Sequence, residues 1–394
     1  MTPAARVAAS IDVLDKILAG APAEKALTNW ARGARYAGSK DRAAVRDFVY
    51  QALRCRDSYG LRGGGQRGAL TARQIMIGQL RASGSDPAAF FTGEKFAPSP
   101  LSEAELYAPS EAATSLAADL PDWLWVRFVA ALGERAAAEM AERLRHRAPI
   151  TARVNTRKTT RAALITELAK DGISAAPVQD VSTALHLTQG ARRLTQISAY
   201  LTGQIELQDA HSQAAMAALD VPDGAHILDL CAGGGGKTLA LAARLDARYF
   251  AHDSQERRLR DLPERARRAG ISVNVLATGE LAHHGPYDLV LCDVPCSGSG
   301  TWRRTPEAKW TLTLDRLEAL GKSQADILAQ ARSLTRPGGS IAYATCSVLD
   351  EENNAQITGF CDKNPGWTCG FSRSWPLNDQ GDGFYLAVLH QPQG

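Results

Sequence analysis

The stretch Ile227-Leu228-Asp229-Leu230-Cys231-Ala232-Gly233-Gly234-Gly235-Gly236-Lys237-Thr238 decides the reading of this 394-residue chain. An apolar run stops at a tract of glycines and a helical pattern resumes at Lys237, the order of strand, tight loop and helix. Without Cβ atoms the loop lets a ligand approach its backbone, and the free N–H groups opening the next helix face that ligand. Spacing narrows its identity. A phosphate-binding loop of the form Gly-x-x-x-x-Gly-Lys-Thr needs glycine at 231, which is Cys231, and a dinucleotide loop Gly-x-Gly-x-x-Gly starting at Gly233 needs glycine at 238, which is Thr238. Nucleotide triphosphates and dinucleotides are therefore disfavoured, and a nucleoside without a pyrophosphate remains.

Outward from this loop, short apolar runs over 227–230, 249–252, 273–276, 287–292, 340–344 and 385–389 alternate with helical segments. The alternation predicts an α/β fold, a doubly wound sheet of mostly parallel strands. Ligands of such sheets bind outside the carboxyl ends of the strands. At the second such end Asp253 is placed to accept hydrogen bonds from both ribose hydroxyls, and with the glycine loop this fits S-adenosylmethionine. A tight turn and a helix N-cap are the simpler reading of either feature alone, less so of the two together. The fourth and fifth ends read Asp293-Val294-Pro295-Cys296-Ser297-Gly298-Ser299-Gly300 and Ala344-Thr345-Cys346-Ser347, which brings two thiols to one rim. Cys231, Cys292, Cys361 and Cys369 read as small packing groups. No Cys-x-x-Cys pair occurs and His283 and His284 sit in a polar loop, so no metal is expected.

Composition bounds the rest. The seven cysteines are odd in number and dispersed, which argues against a disulfide framework and for a reducing compartment. No apolar run approaches the roughly 18 residues that span a bilayer, and no signal-peptide pattern opens the chain, so a soluble cytoplasmic protein is expected. Net charge is only +3, yet residues 1–90 hold 14 Lys and Arg against 7 Asp and Glu. A basic end suggests a nucleic-acid partner, although a bias of this size also serves solubility.

Helical periodicity marks 6–18, 41–56 and 71–80, and a Pro/Ser/Ala-rich connection over 97–109 suggests a boundary. Helical spacing resumes over 111–147, and strand, helix and strand follow over 150–187. Three domains are expected: helical over 1–105, a small helical and α+β module over 111–200, and the doubly wound sheet over 201–394. Nothing in the sequence requires a partner chain, and a monomer is expected.

The paired Pro295-Cys296 and Thr345-Cys346 resemble the Nol/Nop/Sun family of RNA cytosine-5 methyltransferases. The resemblance extends over roughly 120–394, through Arg153-Val154-Asn155-Thr156-Arg157-Lys158, Gln208-Asp209, Arg303-Arg304-Thr305-Pro306-Glu307 with Trp310, Arg336-Pro337-Gly338-Gly339 and Glu351-Glu352-Asn353. Ser39-Lys40-Asp41-Arg42, Phe48-Val49-Tyr50 and Leu53-Arg54 resemble a NusB-type RNA-binding domain. The resemblance implies a Rossmann-like class I methyltransferase sheet at the C-terminus, an all-α NusB-like N-terminal domain and an α+β module between them. It implies an RNA substrate, small-subunit rRNA before tRNA, and S-adenosylmethionine as cofactor. Cys346 is the implied nucleophile and Cys296 assists its release. The implied cofactor contacts are Cys231, Ala232, Gly233, Gly234, Gly235, Gly236, Lys237, Asp253 and Asp293. Arg303 and Arg304 are the first candidates for phosphate contact. The chain departs from the family where Ala-Pro is usual, at Gly233-Gly234, and where an acidic residue is usual near the third strand end, at Thr278; Glu280 is the nearest acidic alternative. Two rival readings remain: a DNA cytosine-5 methyltransferase, which needs only the Pro-Cys thiol, and a non-catalytic RNA-binding assembly factor, against which Asp253, Asp293, Cys296 and Cys346 argue.

Overall fold

A computed structural model describes residues 1–107 and 119–391. The start of the helical stretch expected over 111–147 and the end of the connection expected over 97–109 lie outside the described residues. The chain divides into two units, Met1–Arg147 with Trp302–Thr311, and Ala148–Thr301 with Leu312–Gly394.

The first unit is helical: α1 (Pro3–Leu18), α2 (Ala23–Gly33), α3 (Ser39–Arg54), α4 (Arg56–Arg62), α5 (Ala72–Ala82), α6 (Glu103–Leu106), α7 (Asp122–Leu132) and α8 (Glu134–Leu144). Helix α1 starts three residues before the apolar period because the Thr2 side chain accepts the Ala5 N–H and Pro3 needs no donor in the first turn. Val7, Val13 and Leu14 of α1, Val45, Val49 and Leu53 of α3, and Ile75, Met76 and Ile77 of α5 form one core. Helix α2 has too few apolar positions to stand out in sequence, since only Ala23, Ala26 and Leu27 are buried.

The ten residues Trp302–Thr311 pack in this helical unit although they follow the Cys296 loop in sequence, and they end in one helical turn, α15 (Ala308–Thr311). The Trp302 ring stacks on Phe128 with centroids 5.9 Å apart. Lys309 Nζ donates to the Arg54 carbonyl at 2.8 Å and Trp310 Nε1 to that of Leu53 at 2.7 Å, so two carbonyls left open at the end of α3 gain donors. Arg54 Nε answers by donating to the Arg303 carbonyl at 2.8 Å. Arg303, expected at a phosphate, is only 3% exposed, whereas Arg304 is exposed.

The second unit opens with β1 (Thr151–Val154), α9 (Arg161–Lys170), β2 (Ser174–Pro177), β3 (Ala184–Gln189), α10 (Ser198–Leu201) and β4 (Ile205–Leu207). The four strands form an antiparallel sheet in the order β2-β3-β1-β4. Leu164 and Leu168 of α9 pack onto Ala152, Leu185 and Ile205.

Seven further strands follow: β5 (Ala225–Asp229), β6 (Ala247–Ala251), β7 (Asn274–Val275), β8 (Tyr287–Asp293), β9 (Thr335–Thr345), β10 (Thr368–Trp375) and β11 (Phe384–His390). They form one sheet in the order β10-β11-β9-β8-β5-β6-β7, parallel from β9 to β7, with β11 and β10 antiparallel at the other edge. Helices α11 (Ala210–Ala217), α12 (Gly236–Ala242), α13 (Leu262–Ala269), α14 (Leu281–His284), α16 (Leu314–Leu334) and α17 (Asn354–Lys363) complete the unit. Successive strand residues point to opposite faces. Thus Leu228, Val290 and Tyr343 join Leu328 of α16 and Phe360 of α17, while Ile227, Leu289 and Ala342 join Met216 of α11 and Leu241 of α12. The doubly wound sheet read from the apolar runs is present, with one strand more than those runs mark.

Candidate active site

The loop after β5 is shaped by its glycines and held from both sides. Gly233 and Gly235 take positive φ values of 51° and 78°, which a side chain disfavours. Ala232 N–H donates to the His252 carbonyl at 2.8 Å, and Gly233 N–H donates to Asp253 Oδ2 at 3.0 Å. Asp253, buried at the end of β6, also accepts the Gln255 N–H at 2.9 Å and pairs with Arg258 at 3.0 Å. A Cβ at Gly233 would lie 3.3 Å from Arg258 Nη2, and one at Gly234 2.8 Å from Arg265 Nη1. The departure from the family's usual Ala-Pro thus makes room for two arginines. Cys231 lies in the same loop, and burial pushes its thiol well up.

Below the loop, Asp229 closes β5. Its Oδ2 accepts the Thr238 hydroxyl at 2.6 Å, and burial raises its carboxyl to about 7. Its Oδ1 is buried with no hydrogen-bond partner among the described residues. Lys237, from the first turn of α12, reaches Asp293 Oδ2 at 2.5 Å at the end of β8. Burial works against its charge, but the Asp293 carboxylate prevails and raises the ammonium above its usual range. At the third strand end Thr278 meets the His252 ring at 3.0 Å, and the exposed Glu280 accepts the Ala277 N–H at 2.8 Å.

The two strand-end thiols do meet. Cys296 Sγ and Cys346 Sγ are 3.4 Å apart, and Gly300 N–H donates to the Cys346 carbonyl at 2.9 Å, tying the two loops together. The hydrogen bond from Cys296 draws the Cys346 thiol below its usual range while burial opposes it; that same bond, with burial, holds Cys296 well above its own. Of the two thiols, Cys346 is therefore the one more readily ionised.

The loops carrying these thiols hang on a buried carboxylate to which the sequence alone assigned no role. Glu352 accepts from Ser297 N–H at 2.8 Å, Ser297 Oγ at 2.5 Å and Gln324 Nε2 at 3.0 Å, and Gln324 also donates to the Pro295 carbonyl at 2.9 Å. Asn353 accepts the Thr345 hydroxyl at 2.6 Å and donates to the Ser347 carbonyl at 3.0 Å. The only sequence signal for this clamp is the run Glu351-Glu352-Asn353 itself. Among the described residues no group of His, Cys, Asp and Glu is arranged to hold a metal ion, and no helix is long and apolar enough to cross a membrane.

A doubly wound sheet with a glycine loop, an acidic residue at the next strand end and two facing thiols has the architecture of a class I methyltransferase. The profile of the 16S rRNA methyltransferase RsmB/F matches residues 216–390, and that of an RsmF/B-like ferredoxin-like domain matches residues 120–192. The chain is 35% identical to Ribosomal RNA small subunit methyltransferase B of Salmonella arizonae over 62% of its own length and 60% of the relative's. It is 33% identical to the Citrobacter koseri protein of the same name over 71% of its length and 68% of the relative's. It belongs to the RsmB/F family. The chain nevertheless spans less than two thirds of several of these relatives, 60% and 61% for those of Salmonella arizonae and Vibrio cholerae. Of solved structures, a methyltransferase homolog protein from Pyrococcus horikoshii superposes over 72% of this chain and all of its own, with a TM-score of 0.61 at 27% identity. NSun6 from Pyrococcus horikoshii, crystallised with SFG, superposes over 70% of this chain and 99% of its own with a TM-score of 0.61; at 19% identity that likeness concerns the fold alone.

Proposed function

We propose that this chain transfers a methyl group from S-adenosylmethionine to carbon-5 of a cytosine in RNA, small-subunit rRNA first, through a covalent adduct with Cys346. The observation that carries the reading is the pair of strand-end thiols 3.4 Å apart, of which Cys346 is the more readily ionised. The names of the relatives support rRNA as substrate.

The residues present fit the cofactor. The turn around Gly233 and Gly235 admits a close backbone approach, Asp253 lies one strand over for the ribose, and the unanswered Oδ1 of Asp229 offers a buried acceptor for an ammonium group. Cys231, Ala232, Gly234, Gly236 and Lys237 frame the rest, with Asp293 beyond. When bound, S-adenosylmethionine supplies an electrophilic methyl on a sulfonium sulfur.

The chain's own residues supply the nucleophile. Carbon-5 of cytosine attacks poorly, so the Cys346 thiolate adds first at carbon-6, and the electron pair released makes carbon-5 the attacking atom. Asp293, oriented by Lys237, accepts from the exocyclic amino edge of the base. Once carbon-5 carries the methyl, its proton leaves to solvent base, the pair left behind rebuilds the ring double bond, and Cys346 departs as a thiolate. The Cys296 S–H stabilises that thiolate as it forms. The base has to be flipped out or presented single-stranded to reach the rim.

The test incubates the protein and its Cys346→Ala and Cys296→Ala variants with labelled S-adenosylmethionine and unmodified small-subunit rRNA. Wild type forms 5-methylcytosine, Cys346→Ala forms neither product nor adduct, and Cys296→Ala accumulates protein covalently bound to RNA. Adduct from Cys346→Ala but not from Cys296→Ala reverses the thiol roles, and RNA binding without transfer to rRNA or tRNA removes the enzymatic reading.

A further inference from the structure

Strand β4 ends beside the glycine loop, and two hydrogen-bonded chains run from the β1–β4 edge to that loop's carbonyls. In the first, Arg153 Nε donates to Gln208 Oε1 at 2.7 Å and Gln208 Nε2 donates to the Gly236 carbonyl at 3.3 Å. In the second, Glu206 accepts from Arg265 at 3.0 Å and from Arg268, and Arg265 goes on to donate to the Gly234 carbonyl. Both chains start from charges out of water, since Arg153 is 4% and Glu206 5% exposed. Charges in that setting hold fixed geometry, because leaving any one unanswered is costly.

A carbonyl and the following N–H share one rigid plane. Fixing the Gly236 carbonyl therefore fixes the Lys237 N–H, in the first turn of α12, where a cofactor would meet the backbone. Fixing that of Gly234 fixes the Gly235 N–H, which closes the loop by donating to the Ala232 carbonyl at 2.8 Å. The second chain also depends on the missing side chain at Gly234, where a Cβ would stand 2.8 Å from Arg265 Nη1.

We propose that Gln208 and Arg265 are positioning residues for the cofactor loop, so that the edge of the four-stranded sheet sets how tightly the cofactor is held. The inference rests on the reading of this loop as an S-adenosylmethionine site.

Two variants separate positioning from mere packing. Gln208→Glu keeps the side chain's length and its acceptor toward Arg153, now as an ion pair, but turns an oxygen instead of an N–H toward the Gly236 carbonyl. Arg265→Met breaks the link to Gly234 while Glu206 keeps Arg268. Calorimetric titration with S-adenosylmethionine and thermal unfolding are run on both beside wild type. For Gln208→Glu the expected result is an unchanged Tm with a Kd raised about tenfold, the size of one lost hydrogen bond replaced by repulsion. Arg265→Met weakens binding likewise, and kcat at saturating cofactor stays within about twofold for both. Wild type binding S-adenosylmethionine with both variants within about twofold of it overturns this inference, whatever their Tm, and leaves the cofactor reading standing. A wild-type protein that binds none overturns both.

Discussion

The division of labour between the two sulfurs is a matter of one proton. Because the Cys296 thiol lies within hydrogen-bonding distance of Cys346 and is the largest influence lowering it, its removal leaves Lys237 and Thr301 as the remaining groups that favour the thiolate. In Cys296→Ala the pH midpoint for alkylation of Cys346 by iodoacetamide therefore moves upward; an unchanged midpoint denies the hydrogen bond its role. Glu352 is the second lever at this scale. Glu352→Gln swaps one acceptor oxygen for an N–H in a cluster whose neighbours Ser297 and Gln324 already donate, so kcat falls by roughly 10–100-fold while the Kd for the cofactor is unchanged. The thiols were legible because each follows an apolar run at a strand end. Glu352 and Gln208 carried no such mark, since their partners Ser297 and Gly236 lie 55 and 28 residues away and only the folded chain brings them together.

Among the elements, α3 and the turn α15 make the sharpest prediction. Lys309 is 1% exposed, and burial lowers its ammonium to about 8 although Asp119, Cys55 and Asp57 favour the charge and Arg56 opposes it. An unfolded lysine loses its proton near 10.4. Between these values the unfolded chain binds the extra proton, so stability of the helical unit rises with pH across that window, by up to about 3 kcal/mol. Urea unfolding of wild type and Lys309→Met at pH 7 and pH 10 checks it: the wild type gains on the variant as the pH rises, and equal changes in both refute the assignment. Elements also show where pattern reading stops. Strand β10 escaped because it is an edge, with exposed Ser372, Arg373 and Ser374 and no apolar alternation to read. Strand β9 was seen only in its buried half, 340–344, because Arg336, Pro337, Gly338 and Gly339 open it with a polar turn-like sequence.

At the level of the whole molecule, charge separates the ends of the chain. The helical unit exposes Arg32, Arg35, Lys40 and Arg42 around an exposed Tyr36, a combination suited to a nucleic-acid strand. If the proposed RNA runs there, replacing these four with Gln lowers the slope of log affinity against log salt by up to about 3 and leaves kcat on saturating RNA unchanged. A slope that stays as in wild type moves the RNA elsewhere. The sheet class and its rim were readable from alternation alone. The membership of residues 302–311 in the helical unit was not, because Trp302, Lys309 and Trp310 carry no period and their partners Phe128, Arg54 and Leu53 lie far back in the chain. That interleaving makes the two units fragments of a split protein. Cleavage of the bond between residues 147 and 148 yields one piece that lacks a ten-residue segment of its own fold and another that carries it, and neither is a finished domain. Co-expressed, the pieces 1–147 and 148–394 should recapture each other and purify together. Deleting 302–311 from the longer piece should set them apart.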